Sequence, residues 1–176
     1  ALAWKAHNEP FMKKLRAIDE LKLRLSAGTS GNDRITPYRS LSRLDLNYVL
    51  NPDESAIMGL APSELANPNL KWETTTQYDF GMDISVLKRR LSLSVDLYYK
   101  RTKDMLLQAD VPSQSGSFKQ WQNIGEIENK GVELALNSLN VDGRDFKWRT
   151  TLNVSSNRNK ILSLGSVTAI PVSISD

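Results

Sequence analysis

The chain has no cysteine and a single histidine, His7, among 176 residues. Without thiols there is neither a disulfide framework nor a thiolate metal site. With one imidazole, nucleophilic triads have almost no material, so no catalytic residue, metal site or cofactor is expected and the chain does not read as an enzyme. His7 lies in a polar stretch and reads as a solvated loop side chain. No apolar run approaches the ~18 residues of a membrane helix, and no signal-peptide pattern opens the chain. The net charge of +3 is spread among acidic residues. Its one basic run, Lys88-Arg89-Arg90, is too short for a nucleic-acid footprint. Mean hydropathy is negative, which does not exclude a membrane location, because barrel strands are only half apolar.

What the chain does have is period two. Tyr78, Phe80, Met82, Ile84 and Val86 alternate with Gln77, Asp79, Gly81, Asp83 and Ser85. After Lys88-Arg89-Arg90 the pattern resumes, with Leu91, Leu93, Val95, Leu97 and Tyr99 opposite Ser92, Ser94, Asp96, Tyr98 and Lys100. Successive side chains on a strand point to opposite faces, so these are two half-apolar strands, and so short a link makes them antiparallel neighbours. The run from Leu91 to Tyr99 approaches the ~9–11 residues of a tilted membrane strand. Positions 101 and 103 then bring Arg101 and Lys103 onto the apolar face. A charge facing lipid costs about 2–4 kcal/mol at mid-bilayer and far less near the interface. With Tyr98 and Tyr99 as an aromatic belt, Arg101 marks the level where the strand leaves the membrane.

The same reading extends along the chain. Residues 1–4 look like the tail of a strand that starts upstream, so the chain is expected to be a fragment. Asn8 as N-cap, Pro10, and Phe11, Met12 and Leu15 at helical spacing predict a short helix over 8–16. Leu21, Leu23, Leu25 and Ala27 form another alternating strand, ended by the turn residues 28–33. A long connection over 28–70 is expected next, with a short strand near Leu41–Leu50 and a helical turn at Leu60–Leu65. A second long, polar connection covers 105–130. Val132, Leu134 and Leu136 then alternate with Glu133, Ala135 and Asn137. Asp142-Gly143 marks a hairpin, and Phe146, Trp148, Thr150, Leu152 and Val154 return opposite Lys147, Arg149, Thr151, Asn153 and Ser155. Strands are therefore expected at about 21–27, 74–87, 91–104, 131–140 and 145–156, and beyond Asn159 another loop.

Connections alternate short and long, as in an up-and-down meander whose short turns lie on one side of a membrane and long loops on the other. The expected fold is an all-β antiparallel meander forming part of a transmembrane barrel. The competing reading is a soluble β-sandwich binding or adhesin module, in which a second sheet covers the apolar faces.

Several words in fixed order carry a resemblance: LKLRLSAGTSGN at 21–32, NPNLKWETTTQY at 67–78, RLSLSVDLYYKRTKD at 90–104, QNIGEIENKGVE at 122–133 and NRNKI at 157–161. Together they resemble the barrel of SusC/RagA-type TonB-dependent outer-membrane transporters, which Bacteroidetes use to import glycans, oligosaccharides or peptides. The resemblance implies a 22-stranded barrel in the outer membrane of a Gram-negative bacterium. Its partners would be the remaining barrel and plug, a SusD-like surface lipoprotein, the TonB complex acting through the plug, and membrane lipid; nucleic acid is not among them. A siderophore-type receptor would share the wall and differ in cargo.

On that reading Phe80, Met82, Ile84, Val86, Leu91, Leu93, Val95, Leu97, Leu134, Leu136, Leu152 and Val154 are the expected lipid-facing residues. Asp79, Asp83, Asp96, Glu133, Lys147 and Arg149 are the expected lumen-facing ones. Sugar or peptide recognition uses aromatic platforms beside hydrogen-bonding groups, so Tyr38, Tyr48, Phe118 and Trp121 are the candidate substrate contacts. Trp72, Tyr78, Tyr99 and Trp148, near strand ends, fit an interfacial belt.

Overall fold

A computed structural model describes residues 1–12, 17–33, 35–50, 56–112 and 119–165. Eight strands account for most of them: β1 (Leu2–Lys5), β2 (Ile18–Asn32), β3 (Arg43–Leu50), β4 (Ala56–Glu64), β5 (Glu73–Val86), β6 (Leu91–Asp110), β7 (Lys119–Asp142) and β8 (Lys147–Ser163). Six of them form one sheet in the order β1-β2-β5-β6-β7-β8, and β3 pairs with β4 in a separate ribbon. Apart from that inserted ribbon, neighbours in the sheet follow chain order, which is a meander. β1 runs antiparallel to β2 with Leu2 opposite Leu25, and β3 antiparallel to β4 with Tyr48 opposite Met58.

The chain divides into two compact units. One comprises Ala1–Ser30, Thr75–Arg101 and Glu128–Lys160; the other comprises Gly31–Thr74, Thr102–Ile127 and Ile161–Asp176.

The soluble-sandwich alternative needs a core, and there is almost none. Among the described apolar residues only Ala6 and Ala109 are buried. The accessible surface is 13501 Å², against about 8,600 Å² for a folded soluble monomer of this mass. Leu152 and Val154 are 54% and 50% exposed. Among the described residues no second sheet covers the alternating apolar residues.

The strands run further than the alternation indicates. β6 continues to Asp110 and β7 already begins at Lys119, so the expected connection over 105–130 reduces to residues 111–118. Backbone ladders need no apolar face, and Lys119 to Lys130 is too polar to show one. The loop-length sorting is correspondingly less clean than the sequence suggests. The expected helical turn at Leu60–Leu65 is instead strand β4, which ends at Glu64, and β8 continues past Asn159 to Ser163. At the N-terminus a 3-10 turn occupies Ala6–Asn8, and Asn8 ends it rather than capping a helix. Residues 13–16 of that expected helix lie outside the described residues. His7 is docked rather than solvated, its Nδ1 lying 3.2 Å from the Leu21 carbonyl oxygen.

Both tight hairpins depart from the simplest reading of their sequences. Between β5 and β6 the Arg90 N–H donates to the Leu87 carbonyl at 3.2 Å. Leu87 and the enclosed Lys88 and Arg89 have φ of 57°, 56° and 61°, three left-handed residues in a row whose enclosed pair occupies the positions of a type I′ turn that ordinarily select Asn-Gly. Between β7 and β8 the Gly143 N–H donates to the Phe146 carbonyl at 2.9 Å, so Arg144-Asp145, and not Asp142-Gly143, forms the tip.

Candidate functional site

In the first unit the polar positions of β2, β5 and β6 bond to one another across the strands. Arg24 Nη2 on β2 donates to Asp83 Oδ1 at 3.1 Å and to Asp96 Oδ1 at 2.9 Å. Ser94 donates to Asp83 at 2.7 Å, and Ser26 and Gln77 donate to Asp79 at 2.7 and 2.8 Å. Ser85 and Ser92 join across the β5–β6 pair at 2.9 Å. Gly81 sits beneath Arg24: a Cβ there would lie 2.7 Å from Asp96 Oδ1 and 2.8 Å from the guanidinium carbon. Only a residue without a side chain lets this cation cross from β2 to β6. Arg24 thus ties together two of the three carboxylates named from the sequence, Asp83 and Asp96, although its Nε is buried without a partner, and Asp79 is held separately by Ser26 and Gln77.

The other predicted polar positions are more peripheral. Glu133 shares a cavity wall with Asp96, Lys147 pairs with Asp142 at 3.3 Å, and Arg149 is exposed on β8. Phe80, Leu97, Leu134, Leu152 and Val154 are exposed. Met82, Ile84, Val86, Leu91, Leu93, Val95 and Leu136 are partly exposed.

The alternation of β6 breaks at Asp104, whose φ is 56°. Along β7, a Cβ on Gly131 would meet the ring of Tyr98, whereas one on Gly125 would meet Met105 and Leu107. Odd positions of β7 thus oppose an even position of β6 before Asp104 and odd positions after it. A positive φ inserted into a strand shifts its alternation by one residue, as a bulge does.

In the second unit the long connection is stapled to β7. Arg39 forms an ion pair with Glu64, with side chains only 17% and 14% exposed, and its guanidinium carbon lies 5.8 Å over the Trp121 ring. Gln108 also donates to Glu64. Asn67 Nδ2 donates to the Trp121 carbonyl at 2.7 Å, and Gln120 Nε2 to the Ala66 carbonyl at 2.7 Å. Asn123 exchanges two 2.8 Å bonds with the Lys71 backbone. Trp121 Nε1 is buried without a partner.

Beside this staple is a cavity of about 350 Å³ lined by Asp33, Tyr38, Arg39, Lys71, Trp72 and Leu106, among others. Tyr38 is 79% exposed and has φ of 67°, an uncommon conformation for a non-glycine residue. Of the four aromatic residues proposed from sequence, Tyr38 and Trp121 converge here through Arg39. Tyr48 belongs to the β3–β4 ribbon, and Phe118 lies outside the described residues. Sequence reasoning missed Arg39, Glu64 and Lys71, which are ordinary polar residues with no local pattern. Trp72 lines this cavity and packs on Gly31, where a Cβ would be 3.2 Å from its ring, and remains exposed.

The family described as TonB dependent receptor-like, beta-barrel matches residues 2–167. The chain belongs to it. TonB-dependent receptor P26 of Formosa agariphila is 43% identical over the whole of this chain, which spans 18% of that relative. TonB-dependent receptor SusC of Bacteroides thetaiotaomicron is 33% identical over 93% of the chain and 17% of its own length. Among solved structures, that of the RagAB peptide transporter superposes with a TM-score of 0.77 at 33% identity, covering 93% of this chain and 18% of that one. The chain thus spans less than a fifth of the relatives it matches. The meander is a stretch of TonB-dependent outer-membrane barrel. The relatives are receptors and transporters rather than enzymes.

Proposed function

We propose that these residues form wall and outer loops of a SusC-like importer of glycans, oligosaccharides or peptides, within a 22-stranded barrel. The face carrying Phe80, Leu93, Leu97 and Leu152 meets hydrocarbon, and the Arg24–Asp83–Asp96 face lines the lumen against a plug. The carrying observation is the asymmetry itself: polar groups on one face satisfy one another, while apolar groups on the other have no protein cover. The wall is a scaffold, and transport work comes from TonB acting on a plug supplied by other residues. A SusD-like surface lipoprotein caps the chamber. The cavity bounded by Tyr38, Lys71 and Trp72 supplies loop-side contacts to cargo.

The decisive experiment uses the intact protein in an outer-membrane folding assay. Leu93→Arg should impair assembly, because a lipid-facing arginine costs up to about 2–4 kcal/mol depending on depth, whereas Ser94→Arg should assemble. Equal defects would remove the basis for lipid exposure. Binding of glycans, peptides and ferric chelates to the intact protein separates a SusC-like cargo from a siderophore.

A further inference from the structure

In the first unit the apolar phase of three neighbouring strands, β6, β7 and β8, turns basic at its far end. On β6 the phase of Leu97 and Tyr99 continues to Arg101. On β7 that of Leu134 and Val132 continues to Lys130 and Glu128, and on β8 that of Leu152 and Val154 continues to Arg158 and Lys160. Contacts tie the three phases to one face. The Tyr99 hydroxyl donates to Glu128 Oε2 at 3.1 Å, Lys130 Nζ lies 3.1 Å from Glu128 Oε1, and the Lys160 charge also acts on Glu128. Four cations thus share this end of the face with one carboxylate. The next residues in phase, Lys103 and Glu126, add one charge of each sign. The Lys130 side chain is 52% exposed, and Arg158 and Lys160 are exposed. Strand phase sets the direction of Arg158 and Lys160, whichever strand pairs with the far edge of β8.

We propose that this basic row is a headgroup site for an anionic glycolipid of the outer leaflet, one bearing two phosphate monoesters. The inference rests on the reading of the apolar face as lipid-exposed. Height fits a headgroup: Arg101 stands eleven positions after Arg90, and Arg158 eleven after Lys147, about the 9–11 residues of one tilted membrane strand. The tight turns at 87–90 and 143–146 close the opposite end, and short turns are periplasmic in such barrels, so the row lies at the outer surface. Like charges on neighbouring strands repel, and the excess of three positive charges calls for a polyanion. Two phosphate monoesters carry about −3 to −4 near neutral pH, whereas a phosphodiester headgroup carries a single negative charge. Strands about 4.8 Å apart spread the row over about 10 Å, which suits two phosphates on a disaccharide frame better than one small ion.

The test uses the intact transporter, purified in mild detergent and titrated under native mass spectrometry with diphosphorylated lipid A or the same lipid dephosphorylated. The phosphorylated form should be retained at least tenfold more tightly. A cation at an anionic surface contributes about a fivefold change, so Arg158→Gln/Lys160→Gln should weaken retention about 25-fold, Arg158→Lys/Lys160→Arg should restore it, and Glu128→Gln should tighten it about fivefold. Equal retention of the two lipids, or retention unchanged in Arg158→Gln/Lys160→Gln, overturns the proposal. So does displacement of the lipid by millimolar inorganic phosphate, which would mark a site for a free anion. Loss of a co-purifying protein in that double variant, with lipid retention unchanged, would assign the row to a protein partner instead. If the Leu93→Arg and Ser94→Arg pair behaves as expected while these lipid measurements fail, the headgroup inference falls alone. If that pair fails, the lipid-facing reading falls with it.

Discussion

Gly131→Ala adds one methyl group at a point where two strands leave no room for it. The new Cβ would lie 2.6 Å from Tyr98 Cζ and its hydroxyl oxygen, and 2.7 Å from the Ser156 carbonyl oxygen. Ordinary carbon contacts are about 3.5–4.0 Å, so the ring must retreat by about 1 Å. The Tyr98 ring can rotate, but the Ser156 oxygen belongs to the backbone of β8 and moves only with its strand. Overpacking of this kind costs about 1–3 kcal/mol, which is about a 5- to 150-fold loss in the folding equilibrium. Urea unfolding of the intact protein in lipid vesicles, followed by intrinsic fluorescence, measures it. The double variant Tyr98→Ala/Gly131→Ala should recover the part due to the ring and keep the part due to the carbonyl, giving a coupling energy of about 0.5 kcal/mol or more. A Gly131→Ala variant as stable as the wild type, or strictly additive single effects, would refute the claim that Gly131 exists to seat Tyr98.

Three further outcomes are expected. Lys88→Asn/Arg89→Gly should stabilise the protein by about 1–2 kcal/mol, because it places residues suited to positive φ where two long side chains now stand; no gain in unfolding midpoint would mean the turn does not hold that conformation. Arg39→Ala leaves Glu64 largely buried with Gln108 as a remaining donor, a loss of about 3 kcal/mol at the lower end of comparable pairs, so limited proteolysis within 33–72 should accelerate about a hundredfold; an unchanged cleavage rate would show the ion pair does not staple this segment. Glu128 bonds Tyr99 at the end of the proposed membrane span, and hydrogen bonds from Lys130 first and Tyr99 second hold its carboxyl below the ordinary value of 4.5. A depressed folded-state value stabilises fully above that ordinary value and is lost as pH falls through the lowered one. The stability difference between wild type and Glu128→Gln should therefore be flat from pH 7 to 5 and shrink under more acid conditions; a difference that grows on acidification contradicts the assignment.

Alternation alone determined that the chain is all-β, which residues share a face over 77–100 and 132–155, and where β5 turns into β6. That signal exists because one face of each ribbon is apolar and the other polar, the contrast that the proposed lipid-facing wall requires. It fades wherever both faces are polar, which is why the strand stretch 119–130 reads as loop although the backbone ladder continues through it. Tertiary structure alone decided the rest. The shift at Asp104 depends on one dihedral angle, the reach of Arg24 to Asp96 two strands away on an absent side chain at the intervening Gly81, and the Arg39–Glu64–Trp121 staple on groups far apart in the chain. Period two reports what a strand faces; which neighbour each side chain reaches depends on register and close approach, and these are fixed only when the strands pair.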